Sequence, residues 1–98
     1  MSKARIYISG PISGTTDYMA RFEKAEKELS KNGYRVINPA KLTESLPLNI
    51  SYEEIMELDL LLLGKSDAIY MLKGWEKSCG SNREYGFALA AGIDIIKE

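Results

Sequence analysis

The sequence contains no histidine and a single cysteine, Cys79. Without imidazole, His-based catalytic triads and His-ligated metal sites are excluded. One cysteine leaves no intrachain disulfide. Charge of either sign is not in excess: 13 Lys and Arg stand against 14 Asp and Glu, a net charge of −1. A protein that neutralises a phosphate backbone needs a basic face, so no nucleic acid polymer is expected as a partner. Long hydrophobic runs are missing as well. No stretch approaches the roughly 18 apolar residues of a membrane span, and the N-terminus lacks the apolar stretch of a signal peptide. The expectation is a cytoplasmic protein with no membrane partner. There is no internal repeat or low-complexity tract.

What is present suits one domain over residues 1–98. The composition, 45% apolar and 28% charged, is that of an ordinary globular chain. Arg5–Ile8 (RIYI) is a β-rich run stopped by Ser9-Gly10-Pro11. Residues 17–32 place Met19, Phe22, Ala25 and Leu29 at helical spacing, with Gly33 closing the helix. Tyr34–Ile37 is a second strand, stopped by Asn38-Pro39, and residues 39–51 read as a loop. Ser51 with Glu54 forms a capping box for a helix ending near Leu63 and Gly64. Asp67–Leu72 is a third strand and residues 73–80 a polar loop. A helix from about Ser81 to Gly92 and a strand at Ile93–Ile96 complete the chain.

Strands alternating with helices give an α/β fold with a parallel sheet covered on both faces. Such sheets bind ligands beyond the carboxyl ends of their strands, where the strand order reverses. Residues 9–16, 38–45 and 73–84 emerge at that edge.

Three side chains there could carry chemistry. Glu84 is expected in the first turn of the last helix, where the helix N-terminus keeps a carboxylate ionised; on position alone an ordinary first-turn glutamate is the plainer reading. Asp59 interrupts the apolar series around Leu58–Leu63, and burial would raise its pKa towards that of a general acid; a solvated helix face is the plain alternative. Tyr7 either fills the core or reaches a carboxylate with its hydroxyl. Trp75 reads as an exposed base-stacking platform, or else as a cap over the core or part of a subunit contact. Ser78, Gly80 and Ser81 offer hydroxyls and amides to an anion, or simply cap the helix. Cys79, with no base to activate it, reads as a packing residue.

Taken together, Tyr7-Ile8-Ser9-Gly10, Asn38-Pro39-Ala40, Asp59, Asp67 and Ser78-x-Gly80-x-x-x-Glu84 resemble the nucleoside 2-deoxyribosyltransferase superfamily, which includes 2′-deoxynucleoside 5′-phosphate N-hydrolases. The similarity runs from Arg5 to about Gly92. It is greatest to a compact subgroup found in phages and bacteria that shares SGPISG and GWE-S-G---E.

The resemblance implies a Rossmann-like (flavodoxin-like) three-layer sandwich with four parallel strands in the order 2-1-3-4. It implies a nucleoside or nucleotide N-glycosidase or deoxyribosyltransferase. Glu84 would be the nucleophile at C1′, Asp59 the residue that helps protonate the departing base, and Tyr7 the group that orients the nucleophile. Ser9, Gly10, Ile12, Asn38, Trp75, Ser78, Gly80 and Ser81 would contact substrate. No metal or other cofactor is implied. A neighbouring copy would complete the site, giving a homodimer or larger homo-oligomer through the helices near 51–63 and 81–91.

Pro11 and Ser13 stand where the phosphohydrolases carry a phosphate-gripping serine and arginine, leaving Arg21 or Arg83 as replacements. The alternative function is a non-catalytic nucleotide-binding module on the same fold, used for sensing or sequestration. A structural oligomer with a vestigial site is the third reading.

Overall fold

A computed structural model describes residues 4–98. Strands β1 (Arg5–Ser9), β2 (Arg35–Ile37), β3 (Ala68–Met71) and β4 (Asp94–Lys97) form one parallel sheet in the order β2-β1-β3-β4. Helices α1 (Tyr18–Lys31) and α2 (Pro39–Glu44) pack on one face of this sheet. Helices α3 (Tyr52–Gly64) and α4 (Cys79–Ala91) pack on the other. This is the expected α/β sandwich with the expected strand order. No helix among the described residues is long and apolar enough to cross a membrane.

The alternation of side chains along β1 divides the interior. Ile6 and Ile8 point to α1, where Phe22, Ala25 and Leu29 meet them at i, i+3 and i+7. Tyr7 points the other way, into a second cluster with Leu63 of α3, Ile69 and Met71 of β3, and Ala88 of α4.

The ends of the elements follow from local chemistry. Ser51 and Glu54 form the expected reciprocal capping box at the start of α3. Gly92 closes α4 at φ 73°, a left-handed conformation that favours glycine, and the Ile93 amide bonds back to the Ala88 carbonyl.

Two expectations are corrected. Residues 39–51 are not all loop, because α2 begins immediately after β2. Asn38, read as a strand stop, is the N-cap of α2 and accepts from the Lys41 amide, with Pro39 in the first helical position where no donor is needed. Residues 73–80 also contain a 3₁₀ turn at Trp75–Lys77.

β1 connects outward to β2, and the chain then crosses to β3 on β1's other side. The carboxyl ends of β1 and β3 therefore flank the reversal in strand order. Gly10 lies just beyond β1 at that point. A Cβ there would stand 2.7 Å from Leu72 Cδ1, so a residue without a side chain lets the two strand ends approach.

Candidate active site

A cavity of about 580 Å³ opens at this reversal, within the size range of small-molecule sites. The end of β1 and its loop supply Ser9, Gly10, Ile12 and Ser13. α3 supplies Tyr52, Ile55, Met56 and Asp59. The start of α4 supplies Ser78, Gly80, Ser81 and Glu84.

At its base, Glu84 is 6% exposed and accepts two hydroxyl hydrogen bonds. Tyr7 Oη donates to Oε2, and Ser9 Oγ donates to Oε1 at 2.7 Å. Tyr7 and Ser9 are two apart on β1, so both face α4. The β-strand thus grips both oxygens of one carboxylate, which fixes its plane. Asp59 lies on the buried stripe of α3 with Met56 and Leu63, not on a solvated face.

Burial is the main cause of the unusual acidities. It raises the Glu84 pKa to about 7, against opposing hydrogen bonds from Tyr7 and Ser9; the charge of Asp59 raises it further. Burial likewise raises Asp59 to about 6, opposed by a hydrogen bond with Tyr7. Burial first, then the two carboxylates, pushes Tyr7 well above its ordinary value.

This corrects the expected electrostatics of Glu84. Ser78 caps α4 by accepting from the Ser81 amide, so the helix starts at Cys79 and Glu84 falls in its second turn. The helix-terminus field fades beyond the first turn, and desolvation prevails. The residue expected to stay ionised is instead pushed by burial towards its protonated form.

Of the substrate-contacting residues named from sequence, Ser9, Gly10, Ile12, Ser78, Gly80 and Ser81 line the cavity. Asn38 does not, being occupied with capping α2 and donating to Glu26 Oε1. Trp75 is not an exposed platform. It is half-buried against the core on the α4 side, its ring 4.7 Å from that of Tyr85.

Cys79 is exposed at the cavity edge rather than packed. Asp67 lies at the opposite end of the sheet, where its carboxylate accepts from the Arg5 amide. Arg21 binds the Lys73 carbonyl and pairs with Glu98, while Arg83 makes a forked pair with Glu53. Neither arginine lines the cavity, whose lining includes one cationic side chain, Lys77. No group of three His, Cys, Asp or Glu side chains suited to a metal ion occurs among the described residues.

Tyr52, Ile55 and Met56 were not anticipated from sequence. Their signal was present: with Asp59 they occupy i, i+3, i+4 and i+7 of one helix face.

Residues 4–97 match the family described as Domain of unknown function (DUF4406). The chain belongs to this family. No curated protein matches it. Among solved structures it is similar to a 2-deoxyribosyltransferase from Bacillus psychrosaccharolyticus, with a TM-score of 0.78 and 20% identity over 96% of this chain and 71% of that one. It is also similar to a conserved protein from Enterococcus faecalis V583, with a TM-score of 0.71 and 22% identity over 98% of this chain and 63% of that one. At these identities the likeness is one of fold, and the fold is that of the 2-deoxyribosyltransferase.

Proposed function

We propose that the protein cleaves the N-glycosidic bond of a nucleoside or nucleotide, with Glu84 as nucleophile. The observation that carries this reading is the double hydroxyl grip of Tyr7 and Ser9 on a buried Glu84 carboxylate, in a cavity shared with Asp59.

Breaking the bond from a sugar to a base develops positive charge at the anomeric carbon. A carboxylate held in one plane beneath that carbon stabilises the charge and then forms the glycosyl ester. Tyr7 and Ser9 provide the holding. A second acid near the leaving base supplies its proton, and Asp59, lifted by burial to about 6, is suited to that work near neutral pH.

The productive pair is Glu84 ionised and Asp59 protonated. In the free protein burial holds both carboxyls above the ordinary carboxylate range, so near neutral pH the pair can retain one proton. A sugar with cationic character above Glu84 favours the productive arrangement by stabilising that carboxylate. The glycosyl ester then passes to water, giving hydrolysis, or to a second base, giving transfer. A neighbouring copy that completes the cavity belongs to the same proposal.

The test is chromatography of free base after incubation with the common 2′-deoxynucleosides and their 5′-monophosphates. Wild type is expected to release base from at least one, and folded Glu84→Gln from none. Absence of release from all of them, with wild type folded, overturns the proposal. Tight binding without release would make the cavity a binding module instead.

A further inference from the structure

The Ser81 hydroxyl makes no hydrogen bond in the fold among the described residues. Ser81 is 2% exposed, and among the described residues its Oγ is the buried side-chain polar atom left without a hydrogen-bond partner. It also lines the cavity. In the same cavity Tyr7 and Ser9 donate to Glu84, and Ser78 accepts from the Ser81 amide. An unpaired buried hydroxyl costs stability, and native proteins carry few of them.

Position gives the hydroxyl a use. Ser81 precedes Glu84 by three residues in α4, so the two share the buried stripe of that helix with Ala88. They stand about 4.5 Å apart along the helix axis, about the span of one sugar ring. We propose that Ser81 Oγ hydrogen-bonds a free hydroxyl of the sugar whose anomeric carbon lies over Glu84, and so sets the specificity of the cavity. This rests on the N-glycosidase reading above and adds to it a specificity-determining residue.

A sugar hydroxyl suits this position better than a phosphate. An anion at Ser81 would share the cavity with the Glu84 and Asp59 carboxyls, with no buried cation lining it. Lys77 is exposed, and Arg21 and Arg83 are engaged elsewhere. A buried unpaired charge is costly, whereas a hydroxyl both donates to and accepts from serine.

The experiment uses the best 2′-deoxynucleoside from the base-release panel, its 2′,3′-dideoxy and 2′,5′-dideoxy analogues, and its 5′-monophosphate. Each is assayed with wild type and Ser81→Ala, and the Tm of both proteins is measured without ligand. Wild type should lose about 10- to 100-fold in kcat/KM with the analogue lacking the recognised hydroxyl. Ser81→Ala should show that loss already with the parent nucleoside and no further discrimination. Its Tm should equal or exceed that of wild type, because it removes an unpaired buried hydroxyl.

Equal discrimination by both proteins, a preference of wild type for the 5′-monophosphate, or a lowered Tm in Ser81→Ala overturns the assignment while leaving the N-glycosidase reading intact. Base release from no compound overturns both.

Discussion

The two faces of the sheet are built on one pattern and filled differently. On one side, the buried stripe of α1 is Phe22, Ala25 and Leu29 at i, i+3 and i+7, all apolar and packed against Ile6 and Ile8, with Phe22 and Ile8 also forming an apolar wall of the cavity. On the other, the same spacing gives Met56, Asp59 and Leu63 on α3 and Ser81, Glu84 and Ala88 on α4. Carboxyls and a hydroxyl occupy positions that packing alone would give to hydrocarbon. A core that places polar groups there loses stability. The lesson is that the α1 face holds the fold together, and the α3–α4 face gives up part of that stability to hold polar groups in a cavity.

Exchanging the two kinds of residue should separate the two properties. Glu84→Gln should lower base release at least about 1,000-fold, because the nucleophile is gone; chromatography of free base checks it. Leu29→Ala, on the part of the α1 stripe away from the cavity, should act through stability, costing about 2–5 kcal/mol in denaturant unfolding, and with nucleoside bound any surviving folded fraction should keep its turnover. If Leu29→Ala abolished turnover per folded molecule, or Glu84→Gln unfolded the protein, the division between the faces would fail.

The stability of Glu84→Gln sharpens the contrast. The Glu84 carboxyl titrates near 4.5 in an ordinary setting and near about 7 in the fold. Between those values the folded chain holds the proton more tightly than the unfolded chain does. The stabilisation from this raised pKa is therefore fully present below about 4.5 and is lost as pH rises through about 7. Glutamine never ionises, so the variant should gain on wild type by about 2–3 kcal/mol at pH 8 and by little at pH 4. Thermal melts at the two values decide it, and a variant less stable at pH 8 would contradict the desolvation of Glu84.

Gly10→Ala probes the seam between the faces. Its Cβ would meet Leu72 Cδ1 at 2.7 Å and Leu72 Cβ at 2.9 Å, and Leu72 is fully buried. The expected cost is about 1–3 kcal/mol, measured by denaturant unfolding, with a raised KM as Ser9 shifts.

The smallest effect is on pH dependence. Below about 6 both carboxyls are protonated and no nucleophile exists; above about 7 both are ionised and no acid remains. The kcat/KM profile should be a narrow bell with its maximum between those values. A plateau above pH 7 would remove Asp59 from the proton transfer.

Much of this was legible in the sequence. Glycine and proline stops, together with apolar spacing, marked the four strands and three of the four helices, and their alternation gave the layers. The trio Tyr7, Asp59 and Glu84 was legible as candidates, Asp59 because a carboxylate among leucines is conspicuous.

What was not legible depended on tertiary placement. α2 is six residues long and begins on a proline, too short for periodicity to declare. The start of α4 was hidden because Gly80 is a weak helix former, and two residues moved Glu84 from the first turn to the second. Trp75 looked exposed because its segment is polar, while the ring it packs on, Tyr85, comes from the following helix. The unpaired state of Ser81 Oγ appears only when every neighbour's hydrogen bonds are assigned.

The central claim is that the carboxylate gripped by Tyr7 and Ser9 attacks the sugar. It is tested most directly by mass spectrometry of the protein quenched during turnover of a 2′-fluoro-2′-deoxynucleoside, whose fluorine slows breakdown of a glycosyl ester. The expected result is a mass increase of one fluorodeoxyribosyl group, mapped to the peptide containing Glu84 and absent in Glu84→Gln. Base release without an adduct, retained in Glu84→Gln, would contradict it.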